Sequence, residues 1–142
     1  MDRETAFDDV LEANEHYAES FTLGDLEPRA GRGLAIVTCF DSRIEPLQML
    51  GLRPGDAKIL RTAGGRVGEG ELASLELAIQ KLGVERILIV HHTECAAPGI
   101  GPEALADDVV RVRGDERIPA SVPVAGMRYD VRSGRLTPVL RG

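Results

Sequence analysis

Two short apolar runs, Leu34-Ala35-Ile36-Val37-Thr38-Cys39 and Arg86-Ile87-Leu88-Ile89-Val90, are continuous and β-branched in the middle. That is the pattern of strands covered on both faces, as in a parallel sheet. Ala57 to Arg61, after the Arg53-Pro54-Gly55-Asp56 turn, predicts another short strand between them. From Glu71 to Leu82 the period changes: Leu72, Leu75, Ile79 and Leu82 recur at helical spacing, and Gly83 stands where helices commonly turn left-handed. Ile44 to Leu50 predicts a shorter helix stopped by Gly51, with Pro46 in its first turn, where a missing amide donor costs nothing. Glu103 to Val112 predicts a helix rich in charge. Val124 to Val131, a turn at Arg132-Ser133-Gly134, and Leu136 to Leu140 predict a terminal β-hairpin, with Pro138 restricting the last strand to a sheet edge.

Strand, helix, strand, helix, strand in that order implies an α/β fold: a central, mainly parallel sheet flanked by helices, with right-handed crossovers. Ahead of it, residues 5 to 21 predict a helix with Phe7, Val10, Leu11, Tyr17 and Phe21 near one face and Glu12, Glu15 and Glu19 largely elsewhere. The stripe is thin and Asn14 interrupts it. Such a helix either packs on its own domain or lies across a partner subunit. Residues 23 to 33, with Pro28 and three glycines, read as a linker. With no internal repeat, low-complexity tract or second boundary, residues 1–142 are expected to form a single domain, of which 1–30 are an N-terminal helical arm and linker.

Charge and cysteine usage narrow the function classes. A net charge of -6 argues against sequence-independent binding to nucleic acid or to acidic membrane surfaces. No apolar run approaches the roughly 18 residues needed to span a bilayer, and no basic region followed by an apolar one opens the chain, so a cytoplasmic location is expected. In a reducing compartment Cys39 and Cys95 are expected as metal-binding or reactive thiols. Without a Cys-x-x-Cys pair, a thiol-redox role is the weaker reading. Nor does a Gly-x-Gly-x-x-Gly or lysine-bearing loop open a helix to hold phosphate.

Cys39 closes the first strand, Arg61 and Thr62 the second, while His92 and Cys95 follow the third. In a parallel sheet those ends share one edge, where open α/β sheets place their ligands. Alone, Cys39 would read as a small buried hydrophobe. Together, two thiolates and an imidazole suit Zn²⁺, and three protein ligands leave a fourth position for water, the hallmark of a catalytic site. Asp41, two residues beyond Cys39, can take that fourth vertex in a closed state or accept a hydrogen bond from a zinc-bound hydroxide. Arg43 can hold it by a charge-assisted bond, which makes the two a candidate switch. His91 should point away from His92, as neighbours on an extended segment do, and is expected to be structural. His16 reads as a solvated helix residue, and Glu94 has no assigned role.

Cys39-x-Asp41-x-Arg43 after a strand, the Arg61-Thr62-Ala63-Gly64-Gly65 loop, and His91-His92-Thr93-Glu94-Cys95 after a later strand together resemble the β-class carbonic anhydrase family. The resemblance covers residues 5 to 96 and extends to the terminal strands. It implies reversible hydration of carbon dioxide to bicarbonate by zinc-bound hydroxide, with Cys39, His92 and Cys95 as zinc ligands and Asp41 and Arg43 as the catalytic dyad. It also implies a pocket role for Gly64 and Gly65, a homodimer or larger homo-oligomer, and an N-terminal helix packed on the partner. Thr62, Glu94 and Ala96 stand where the family usually has Asn, Asp and Gly, and the stretch from Cys95 to Val124 is shorter than its family counterpart. Two alternatives follow: hydrolysis of a CO₂ analogue such as carbonyl sulfide, or a zinc-binding oligomeric homologue without catalysis.

Overall fold

The computed structural model of the chain describes residues Met1–Gly142. Strand β1 (Leu34–Cys39) is buried at every position and lies in the interior of the sheet. Around it run α1 (Asp8–Glu19), α2 (Pro46–Met49), β2 (Ala57–Thr62), a 3₁₀ turn (Ala63–Gly65), α3 (Glu69–Lys81), β3 (Arg86–His92), α4 (Glu103–Gly114), β4 (Val124–Tyr129) and β5 (Leu136–Leu140). The five strands form one sheet in the order β2-β1-β3-β4-β5. β1 is parallel to β2 and β3, and β4 to β3, while β5 returns antiparallel along β4. The expected α/β fold with a terminal hairpin is therefore present, and Pro138 does sit on an edge strand, where its missing donor is harmless.

The sheet has two unlike faces. On one, Ala35, Val37 and Ile89 meet Leu72 and Leu75 from α3 and Leu105 and Val109 from α4, forming the larger core cluster. α4 sits so close to β4 that a Cβ at Gly126 would fall 2.7 Å from Cγ2 of Val109. The other face carries Leu34, Ile36, Leu88 and Val90, bordered by half-buried Leu50, Leu52, Ile59, Met127 and Leu136. Part of it is an open groove of about 500 Å³.

Several boundaries differ from the sequence reading for identifiable reasons. β3 runs two residues past Val90 because His91 and His92 pair with Arg128 and Tyr129 of β4. α3 starts two residues earlier than expected, its entry held by the Gly68 N–H donating to the Glu71 carboxylate at 2.8 Å. Its buried face is Leu72, Leu75 and Ala78, with Ile79 and Leu82 half-buried. The helix expected over Ile44 to Leu50 is a single turn. α1 forms within the expected span, yet none of its residues is buried, and Phe7, Val10, Leu11, Tyr17 and Phe21 all remain exposed. Packing against its own domain is thus not the arrangement found. No helix is long and apolar enough to cross a membrane.

Candidate metal centre

Parallel pairing in register brings the ends of β1, β2 and β3 to one edge, with Cys39 opposite Thr62 and Thr38 opposite both Arg61 and Val90. Cys39 is the last residue of β1 and His92 the last of β3, and one turn then delivers Cys95. The sulfurs of Cys39 and Cys95 and a ring nitrogen of His92 lie within 4.8 Å of one another. Around a tetrahedral zinc ion such atoms stand about 3.5–4 Å apart, as follows from metal–ligand distances near 2.0–2.3 Å.

The donor chemistry fits a metal as well as the spacing does. His92 Nδ1 lies 2.7 Å from the Thr93 carbonyl, the geometry of an N–H donor, which leaves the lone pair on Nε2. Nε2 is buried and has no hydrogen-bond partner in the protein, a cost that a cation would remove. The Gly64 N–H donates to Cys39 Sγ at 3.3 Å. Burial, with the neighbouring Cys39 adding to it, pushes the Cys95 thiol up. The Ala97 backbone N–H bond opposes that rise, and a cation between the sulfurs would oppose it further.

Beside this set, Asp41 is fully engaged by Arg43. Oδ1 accepts from the Arg43 backbone N–H at 2.8 Å and from Nε at 3.0 Å, and Oδ2 accepts from Nη2 at 2.7 Å. The guanidinium bonds, then the backbone bond, hold the Asp41 carboxyl far below the usual carboxylate range. Oδ2 also lies 3.9 Å from His92 Nε2, so the carboxylate faces the donor set while Arg43 grips it. Arg43 Nη2 donates in addition to the Glu94 carbonyl at 3.0 Å.

Gly64 and Gly65 take φ values of +73° and +71° in the 3₁₀ turn. Gly65 wedges between strand ends: a Cβ there would meet Val90 O at 3.0 Å and Cys39 N and His91 Cδ2 at 3.2 Å. Gly64 instead lies under Ile100, whose Cδ1 would be 2.6 Å from an added Cβ. Ile100 belongs to the short connection after Cys95, which therefore lays an apolar side chain on the peptide that contacts Cys39.

Two further residues matter here without a role assigned from sequence. Arg61 donates to the Cys39, Asp41 and Ile44 carbonyls at 3.1, 2.7 and 3.2 Å, clamping the loop that carries the Asp41–Arg43 pair. Asp108 of α4, fully buried, accepts from Arg66 Nε at 2.8 Å and from His91 Nε2 at 3.1 Å, both through Oδ2. Burial raises its carboxyl, but the bonds from His91 and Arg66 outweigh that and leave it below the ordinary range. His91 thus faces α4, on the opposite side of β3 from His92. An arginine ending β2 and an acidic residue on a buried helix stripe were the available signals.

An α/β sheet with a cysteine, histidine and cysteine at its C-terminal edge defines a class of proteins able to bind a metal there, and comparison with known proteins narrows it. Residues 34–109 match the family model for carbonic anhydrase. Beta-carbonic anhydrase 1 of Mycobacterium tuberculosis is 30% identical, over 95% of this chain and 98% of its own length. The crystal structure of carbonic anhydrase from Streptococcus mutans superposes with a TM-score of 0.86 at 31% identity, covering 94% of this chain and 96% of that one. A carbon disulfide hydrolase of Saccharolobus solfataricus is 35% identical over 85 residues, 60% of this chain and 36% of its own. The chain belongs to the β-carbonic anhydrase family.

Proposed function

We propose that this protein reversibly hydrates carbon dioxide to bicarbonate at a zinc ion held by Cys39, His92 and Cys95. The observation that carries the reading is the buried, partnerless Nε2 of His92, set among two sulfurs and facing a carboxylate that a guanidinium already grips. When bound, zinc supplies Lewis-acid activation of water at neutral pH. The remaining work falls to side chains. His92 offers Nε2 because the Thr93 carbonyl holds the proton on Nδ1. Asp41 stays ionised under Arg43 and accepts a hydrogen bond from the attacking water, orienting its lone pair toward the CO₂ carbon. Arg43, through the carboxylate, and Arg61, through the backbone carbonyl, would keep Asp41 from swinging into the donor set. Gly64 and Ile100 line the approach with apolar surface that suits an uncharged linear substrate.

The whole of residues 1–142 is read as one domain that works as a homodimer or larger homo-oligomer. Supporting this, the exposed apolar stripe of α1 and the open groove on the uncovered sheet face are complementary in character. The arm of one subunit is proposed to lie on its partner.

Metal analysis with stopped-flow CO₂ hydration tests the proposal. About one zinc per chain and measurable hydration are expected, with Cys39→Ser losing metal and Asp41→Ala keeping metal but losing most activity. A protein that binds no zinc would end the reading, and stoichiometric zinc without hydration between pH 6 and 9 would favour a non-catalytic homologue. Similarity to a carbon disulfide hydrolase supports a second reading, hydrolysis of a sulfur analogue such as carbonyl sulfide. Fast sulfide release with negligible CO₂ turnover would select it.

A further inference from the structure

Glu94 lies between two of the proposed metal ligands and is the sole residue other than glycine with a positive φ, +54°. An L-residue adopts that conformation only at an energetic cost, so something must hold it. Its two ends reach different parts of the molecule. The carbonyl accepts from Arg43 Nη2 at 3.0 Å, the same nitrogen that donates to Asp41 Oδ2. The carboxylate is gripped in a two-pronged fork by Arg132 in the β4–β5 turn, with Nε to Oε2 at 2.6 Å and Nη2 to Oε1 at 2.8 Å.

That turn is a firm anchor. Asp130 Oδ1 accepts from the N–H groups of Arg132 at 2.8 Å and Ser133 at 3.1 Å. The turn is docked onto the loop before Cys95 by the Val131 N–H on Thr93 Oγ1 at 3.1 Å and the Thr93 N–H on the Tyr129 carbonyl at 2.9 Å. We propose that Arg132 is a positioning residue for the Asp41–Arg43 pair, acting through Glu94: it holds the Glu94 backbone where its carbonyl receives Arg43. The length of the Glu94 side chain is what carries its carboxylate to Arg132. Both side chains are partly exposed, at 80% for Arg132 and 43% for Glu94, so solvent and salt screen the contact and its effect is small.

The test follows the arginine Nε–H resonances by ¹⁵N NMR in metal-free protein, with Arg43 assigned by its loss in Arg43→Lys and Arg61 as internal reference. Arg132→Gln and Glu94→Asp are expected to speed solvent exchange of the Arg43 signal, leaving Arg61 unchanged, with Arg132→Lys intermediate. In zinc-loaded protein, kcat should fall about two- to fivefold with KM unchanged, in line with an exposed ion pair. The deficit should shrink at high salt, and Arg132→Gln with Glu94→Gln should be no worse than Arg132→Gln alone. An Arg43 signal indifferent to both Arg132→Gln and Glu94→Asp would overturn the proposal, as would independent, additive losses in the double variant. The kinetic arm rests on the proposed activity. If the wild type hydrates no CO₂ that reading fails, while the NMR arm still decides the role of Arg132.

Discussion

Substituting Gly65 by alanine places a methyl group among atoms that cannot move aside. Its nearest neighbours would be the Val90 carbonyl at 3.0 Å, the Cys39 amide at 3.2 Å and the buried His91 ring at 3.2 Å, from two strands at the centre of the sheet. Two costs add. Holding alanine at φ +71° costs about 1–2 kcal/mol, and overpacking a well-filled site costs about 1–3 kcal/mol. The expected loss is therefore about 2–5 kcal/mol, a large part of the 5–15 kcal/mol typical of a domain. At this chain length that corresponds to a fall in Tm of roughly 5–15 °C. Urea denaturation at constant m-value, with thermal melts alongside, measures it. Gly64→Ala is the control, because the added carbon there is crowded only by the Ile100 side chain, at 2.6 Å from Cδ1 and 2.8 Å from Cγ1. That side chain can rotate aside as backbone atoms cannot, leaving chiefly the backbone cost of about 1–2 kcal/mol. A Gly65→Ala change below about 0.5 kcal/mol, or one no larger than Gly64→Ala, would refute the claim that the turn is wedged against the strand ends.

Asp108→Asn should destabilise by about 2–4 kcal/mol at pH 7, near the lower end for breaking a buried pair, because Arg66 can reach solvent. Since the folded carboxyl lies below its ordinary value, its stabilisation is present above about pH 4 and is lost as pH falls through the depressed value, so the gap between variant and wild type should narrow in acid. A gap constant down to pH 2 in urea titrations would contradict this. On α1, Phe7→Ser with Leu11→Ser should leave the fold intact by circular dichroism but shift light-scattering mass toward the 15.3 kDa monomer. An unchanged oligomer would remove the arm from the interface.

What the sequence disclosed and what it withheld divide along a physical line. β1 and β3 were legible because burial on both faces demands uninterrupted apolar residues, a purely local signature. The cysteine, histidine and cysteine could be grouped because parallel strands bring their C-terminal ends together whatever the sequence between them. Local pattern could not disclose the extension of β3 through His92, which depends on pairing with β4. Asp108 read as one charge on a charged helix, since its partners Arg66 and His91 lie 42 and 17 residues away. Glu94 could be assigned no role for the same reason: its partner Arg132 is 38 residues on, across the hairpin.

The unequal seating of the three proposed ligands has a consequence for exchange. Cys39 and His92 terminate two adjacent interior strands, whose amides are expected to exchange with solvent only through global opening, whereas Cys95 stands on a partly exposed turn beyond the ladder. Of the three, Cys95 would thus be the donor whose displacement could admit or release an ion while the sheet that carries the other two stays folded.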